Sequence, residues 1–291
     1  MGYSRARVQH VADLTPNLRR VAFEVADLPG LGLPGAPDEA VGIYFPLPGQ
    51  RSAPDMECRD GTWAYYDADP LPDGRNYSIR AVDHAGGTML VDFVIHAAGP
   101  ATLWAQGAQP GDEVVMTHAR SWYAPPADTE RLILAADLAG LPALARILDE
   151  LPSTDGVTAI VEVPAPTELS YLPDRGVELI PVIGGNARTP SRLAETVREL
   201  SIPTAGGYCW FAGEAAESRA VRKHLRGADL RWDRRCYDVI GYWRVDSERW
   251  TRKYSEHGAE LFAVYRQALA DGKSEKQASE EFDEALERAG L

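Results

Sequence analysis

Arg75-Asn76-Tyr77-Ser78-Ile79-Arg80 brings a guanidinium, a phenol ring and a hydroxyl together at R-x-Y-S spacing. The stretch follows a loop rich in Pro, Gly and Asp and leads into alternating apolar residues, so it is expected to open a strand. On a strand, Arg75 and Tyr77 share one face and Ser78 takes the other. That combination suits a flavin. A planar guanidinium clamps a pyrophosphate through paired hydrogen bonds. A Tyr ring can lie against the isoalloxazine, and a Ser hydroxyl can reach its redox-active N5. An ordinary strand with an exposed Arg would look the same, so the flanking sequence has to decide.

Gly99-Pro100-Ala101-Thr102 stands where a short helix should begin, with Pro in its first turn. Free backbone N–H groups and the positive end of the helix dipole favour a phosphate there. A simple turn before a helix is the alternative, and Arg75 upstream favours the phosphate.

These residues need elements to hold them. Residues 5–12, 18–26, 41–45, 75–82, 88–96 and 113–117 have strand patterns, with one helix at 100–107. Six short strands and one small helix predict an antiparallel barrel. Residues 46–74 are expected to form a long loop, in which Trp63, Tyr65 and Tyr66 either cover a ligand or pin the loop to the barrel. After Ala124-Pro125-Pro126 the pattern changes. Wholly apolar strands at 131–136, 157–163, 177–183, 208–212 and 236–242 alternate with helices at 141–151, 189–201 and 214–226. This predicts a parallel sheet covered on both faces, with ligands at the carboxyl ends of its strands. The half carries no G-x-G-x-x-G fingerprint, so the usual Rossmann dinucleotide loop is not expected. Two amphipathic helices should follow, the second starting in a Ser274/Gln277 capping box. The fold class is thus an antiparallel β-barrel, then a parallel-sheet α/β domain, with a helical extension. The expected domains are 1–125, 126–245 and 246–291.

The net charge of −13 argues against nucleic-acid or anionic-membrane binding. No apolar run is long enough for a membrane span, and no signal peptide precedes Leu14-Thr15-Pro16, which makes a cytoplasmic location the expectation. Cys58, Cys209 and Cys236 form neither a disulfide framework nor a zinc pattern, and the six histidines do not cluster. No metal site is expected.

Taken in order, Arg75–Arg80, Asp92-Phe93-Val94-Ile95-His96, Gly99-Pro100-Ala101 with Trp104, and Pro110-Gly111-Asp112 resemble one family. So do Asp137-Leu138-Ala139-Gly140-Leu141-Pro142-Ala143, Phe211-Ala212-Gly213-Glu214 and Gly241-Tyr242-Trp243-Arg244. The chain resembles the siderophore-interacting proteins, flavin-dependent ferric-siderophore reductases of the ferredoxin-reductase superfamily. The resemblance implies a non-covalent FAD held by Arg75, Asn76, Tyr77, Ser78, Asp92, His96 and Gly99, Pro100, Ala101 and Thr102. It brings Asp137 and Ala139 to the flavin or the cofactor cleft. Trp243 or Tyr242 either shields the second flavin face or packs in the core at the sheet end. The family tends to have Asp-Glu-Thr-Ala where this chain has Asp137-Leu138-Ala139-Gly140, so side-chain contacts from the second and third positions are not expected. NADPH or NADH is the implied donor, met by Arg188, Gly213 and Glu214, with ferredoxin as another possible source of electrons. A bulky, often anionic ferric siderophore calls for cations. The basic residues from 222 to 244 supply them, with Arg222, Arg235 and Arg244 as candidates. A general flavin or ferredoxin reductase and a flavin-free siderophore-binding protein are the competing readings.

Overall fold

Alternation builds the first half of the chain. The computed structural model describes residues 2–96, 99–245 and 247–291. Strands β1 (Tyr3–Thr15), β2 (Leu18–Val25) and β3 (Ala40–Tyr44) are followed by a small hairpin, β4 (Glu57–Arg59) and β5 (Thr62–Ala64). Then come β6 (Gly74–Asp83), β7 (Thr88–Val94), helix α1 (Pro100–Gly107) and β8 (Glu113–Arg120). Every second residue of β2 from Val21 is buried: Val21, Phe23 and Val25. They meet Val41 and Ile43 of β3, Ile79 of β6, and Met89, Val91 and Phe93 of β7 in one core. The six longer strands close into a barrel in the order β1-β2-β7-β6-β3-β8, and closure leaves no sheet edge unpaired.

Residues 46–74 differ from the expected plain loop by containing the β4–β5 hairpin. Their aromatic residues pin the segment down. Trp63 stacks on Tyr3 with ring centroids 4.3 Å apart. The Tyr65 hydroxyl donates to the Pro54 carbonyl, and the Tyr66 hydroxyl to that of Thr62.

The second half is a five-stranded sheet of β9 (Arg131–Asp137), β10 (Val157–Val163), β11 (Glu178–Ile183), β12 (Gly207–Glu214) and β13 (Tyr237–Trp243). Its order is β11-β10-β9-β12-β13, and the ladders joining β9 to β10, β10 to β11 and β9 to β12 are parallel. Helices α2 (Leu141–Glu150), α3 (Leu193–Glu199) and α4 (Ala215–Leu225) link the strands. One sheet face packs on α2 through Leu134, Ala136 and Trp210. The other buries Ile133, Phe211 and Val221 beside α3 and α4. Helix α3 is shorter than the expected 189–201. Asn186 and Ala187 take positive φ, and Pro190 follows, so a turn occupies the start of that stretch.

The barrel and the sheet belong to one compact unit, Met1–Tyr242. Their seam is polar and paired. Asp38 accepts from the Trp122 and Tyr123 backbone N–H groups and from Trp210 Nε1. Tyr208 donates to Asp238 at 2.5 Å and accepts from the Ala124 N–H. Three successive linker amides are thereby fixed by side chains.

A second unit, Trp243–Leu291, carries α5 (Ser247–Ala270) and α6 (Glu275–Arg288). Ser274 and Gln277 form the expected capping box. Tyr254 and Phe262 each meet Phe282 edge-on, which joins the two helices. Among the described residues, no helix is long and apolar enough to cross a membrane, and no three His, Cys, Asp or Glu side chains gather as a metal site.

Gly140 shows how tightly the sheet end is built. A Cβ there would lie 2.4 Å from the Ala212 carbonyl oxygen and 2.8 Å from the Ala212 Cβ. Gly140→Ala should therefore destabilise the unit by about 1–3 kcal/mol through overpacking. A thermal scan showing no fall in melting temperature would contradict this.

Candidate functional site

The site is assembled on β6, where the strand leaves the barrel rim. Tyr77 lies inward against the aromatic core, its ring 4.4 Å from Phe93 and 6.3 Å from Phe45. Burial pushes its phenol pKa up. Arg75 shares that face at the exposed rim. Its guanidinium meets only its own turn, donating to the Gly74 carbonyl at 2.7 Å and standing 4.0 Å from Asp73. A cation with so little local engagement has donors to spare for a phosphate.

Ser78 points to the outer face, as alternation requires. It is 7 % exposed, and its hydroxyl donates to the Tyr242 hydroxyl of β13 at 3.2 Å. Asn76 is on that face and exposed. Along one rung, Ser78 pairs with Ala40 and Ala40 with Arg120. Arg120 therefore lies roughly 10 Å from Ser78, two strand spacings away on the same face. Its guanidinium carbon sits 5.7 Å over the Trp122 ring, and Trp122 lies 6.4 Å from Tyr242. Arg120 Nε is buried without a hydrogen-bond partner. Burial lowers its pKa, because no solvent shell offsets the charge. Sequence reasoning passed over Arg120. Its position at a strand end, two residues before Trp122, was the available signal.

The helix start expected at Gly99-Pro100 is present. Gly99 is the N-cap of α1 with φ 127° and no side chain caps the helix, so its first N–H groups remain available. A Cβ at residue 99 would come within 3.2 Å of His96 Cε1, so the ring closes over a space only glycine leaves open. His96 is exposed at the rim, yet the protein desolvates it enough to hold its pKa below the ordinary value. Pro100 occupies the first turn and Ala101 is buried beneath it. Thr102 is also buried, and its hydroxyl donates to the Val94 carbonyl, which leaves its backbone N–H as the group to offer. An exposed Arg75 with donors to spare, a helix start at Gly99 and a hydroxyl at Ser78 together fit FAD.

Asp92 is engaged within the protein. Its side chain is fully buried, Arg20 Nε and Nη2 donate to its two oxygens at 2.7 Å, and Tyr171 donates as well. The carboxylate ties the barrel to the sheet half. Register explains the Arg20 pairing, since Arg20 and Asp92 are direct partners across β2 and β7.

The chain runs from β9 outward through β10 and β11, then returns to β12 on the other side. The crevice of such a sheet opens between β9 and β12. Asp137, Ala139, Gly213 and Glu214 meet at this point. Asp137 is buried, and its Oδ1 accepts from the Ala139 and Gly140 N–H groups. A Cβ on Gly213 would lie 3.0 Å from Asp137 Oδ2. Glu214 caps α4, accepting from Ala216 and Glu217 N–H groups. Asn186 braces the crevice by accepting from the Leu138 N–H, a contact the sequence did not suggest. Arg188 is exposed in the turn that follows edge strand β11, two residues after Asn186.

The expected basic cluster divides. Arg222 is buried and donates to the Val239 carbonyl, which ties α4 to β13. Arg235 is paired with Asp233 before the amino end of β13, whereas Arg244 follows its carboxyl end. Arg235 is thus removed from the crevice end of the sheet. Trp243 closes β13, and Arg244 lies 4.7 Å over the Trp250 ring within the second unit.

Two family models match the chain. The siderophore-interacting FAD-binding domain covers residues 7–121, and the siderophore-interacting protein model covers 129–246. An uncharacterized protein of Mycobacterium tuberculosis is 31 % identical over 209 residues, 66 % of this chain and 72 % of that one. The NADPH-dependent ferric-chelate reductase of Escherichia coli is 23 % identical over 82 % of this chain and 91 % of its own. Among solved structures, a siderophore utilization protein from T. fusca superposes with a TM-score of 0.74 at 29 % identity, covering 84 % of this chain and 93 % of that one.

Proposed function

The chain belongs to the siderophore-interacting protein family, and on that premise we propose that it is an FAD-dependent ferric-siderophore reductase supplied by NADPH or NADH. The observation that carries the reading is the seam itself. Arg75, Ser78 and the α1 start, which fit a flavin, belong to the same compact unit as an open crevice between β9 and β12. The Escherichia coli relative is named for NADPH-dependent ferric-chelate reduction, which agrees with this use.

FAD supplies the conversion of a two-electron donor into the single electrons that Fe(III) accepts. The protein's part is placement and charge. Arg75 and the backbone N–H groups of Gly99, Ala101 and Thr102 would hold the pyrophosphate. Tyr77, Asn76 and Ser78 are the β6 residues that would contact the ring system. His96, whose pKa partial desolvation holds below the ordinary value, would stand beside the pyrophosphate. Ala139, Gly213, Glu214 and Arg188 would border the donor crevice. The ferric siderophore is the substrate. Hard oxygen donors hold Fe(II) much more weakly than Fe(III), so one-electron reduction releases the metal, and no protein ligands are required. Ferredoxin is a further electron source that this site can accept.

Arg120 is the cation proposed for an anionic chelate, since its buried Nε has no hydrogen-bond partner among the described residues. Arg120→Gln should raise KM for an anionic ferric siderophore about tenfold, the loss of one charge-assisted contact, and change KM for a neutral one less than twofold. Equal effects on both substrates would count against the assignment. The function itself is tested by adding NADPH or NADH anaerobically to the purified flavoprotein. Bleaching of the flavin absorbance is expected, and a flavin untouched by either nucleotide would exclude a nicotinamide donor.

A further inference from the structure

Helix α2 starts at the crevice and ends beside the flavin strand. Residues 137–140 form the crevice turn, and Leu141 opens the helix directly after it. Six residues past Gly140, Arg146 leaves the helix toward the barrel. Its Nη1 donates to Glu39 Oε1 at 2.9 Å and to the Ile79 carbonyl at 3.1 Å, and its Nε donates to Glu150 at 2.6 Å. Both seam partners are buried, with side-chain exposures of 10 % for Arg146 and 1 % for Glu39. Ile79 follows Ser78, and Glu39 precedes Ala40, the residue paired with Ser78. The Ile79 N–H in turn donates to the Glu39 carbonyl. One guanidinium thus grips both strands at the Ser78 rung.

Nothing about holding two halves together demands this. Apolar residues of similar volume commonly serve a buried contact as well as an ion pair does. An ion pair adds direction: its hydrogen bonds fix where α2 stands against β6. An α-helix is a stiff strut rising about 1.5 Å per residue, so the crevice turn lies about 9 Å along α2 from the clamp.

We propose that Arg146 is a positioning residue for electron delivery, setting through α2 the separation between the nicotinamide crevice and the flavin strand. The proposal rests on the reading that a reduced nicotinamide occupies that crevice. In the step concerned, a bound FAD would take one hydride, its hydrogen with both electrons, from the reduced nucleotide, which would leave oxidised. Rates of this kind fall steeply with misplacement, and 1 Å can cost about 100-fold. Reduction of the ferric chelate needs no nicotinamide in the crevice, so it is expected to be much less sensitive to Arg146.

The test compares wild type with Arg146→Met and with the double variant Arg146→Met/Glu39→Gln. The double variant removes the carboxylate that the single change would strand. Four quantities are read: FAD affinity, the long-wavelength charge-transfer absorbance on adding NADPH or NADH, the rate of flavin bleaching, and the rate at which ferric citrate reoxidises photoreduced flavin. FAD affinity and reoxidation are expected to stay within twofold. The charge-transfer band should vanish and bleaching should slow 10- to 100-fold. A retained band with normal bleaching would overturn the proposal. So would an equal slowing of both half-reactions, which would show general loosening. If the methionine variants lose FAD, Arg146→Lys, which keeps charge and volume but not the two-strand grip, is held to the same outcomes. A wild-type flavin bleached by neither nucleotide would overturn the nicotinamide reading and this proposal together, before any variant is compared.

Discussion

Arg75→Ala is expected to leave the barrel folded and strip most of its flavin. The side chain is exposed at the rim and touches only the Gly74 carbonyl, with Asp73 4.0 Å away, so the fold loses little without it. A flavin pyrophosphate would lose its only flexible cationic clamp on β6. Charge-assisted hydrogen bonds of this type contribute about 1.5–3 kcal/mol, so the FAD dissociation constant should rise roughly 10- to 150-fold. Titration of apoprotein with FAD measures this directly. The melting temperature of the apoprotein should not change. Unaltered FAD affinity would remove the anchor of the site.

Asp38→Ala should have the largest effect on stability. Its carboxylate accepts from two linker amides and the Trp210 indole, all at the buried seam. Removing it leaves three donors without partners, each costing about 1–3 kcal/mol when buried, though neighbouring penalties do not add fully. A loss of about 3–5 kcal/mol is expected, which for a unit of this size lowers the melting temperature by about 10 °C. The same group gives the fold a pH signature. Burial is the main reason that the Asp38 pKa is raised, and the hydrogen bonds from Tyr123, Trp122 and Trp210 only partly oppose it. A carboxyl with a raised folded-state pKa favours the folded state below its unfolded value. That contribution is lost as pH rises through the folded value. Asp38→Asn should therefore flatten the stability profile above the ordinary Asp range, near pH 4. An Asp38→Ala protein with the wild-type melting temperature would show that the seam is not held this way.

Much of this was legible from residue patterns. Period-two burial at Val21, Phe23 and Val25 announces a barrel strand, and the apolar run 157–163 announces a strand covered on both faces. The capping box at Ser274 and the helix start at Pro100 rest on local chemistry alone, and both stand in the structure. What escaped depends on partners distant in sequence. Asp92 looked available because nothing in its own stretch shows Arg20 beside it across the ladder. Arg222 looked like part of a basic surface, but it falls four residues after buried Ser218 and three before buried Leu225. Helical spacing alone could have placed it on the buried face. Arg120 carries no motif at all; only the closed barrel brings it onto the Ser78 rung.

The most direct test of the central claim couples the two halves of the reaction. The purified flavoprotein is reduced anaerobically with NADPH or NADH, and a ferric siderophore is added with an Fe(II)-specific chelator. The account predicts that flavin absorbance returns as the Fe(II) complex forms, with two Fe(II) captured per flavin reoxidised. A reduced flavin that stays bleached in the presence of ferric siderophores, hydroxamate and catecholate alike, would contradict it.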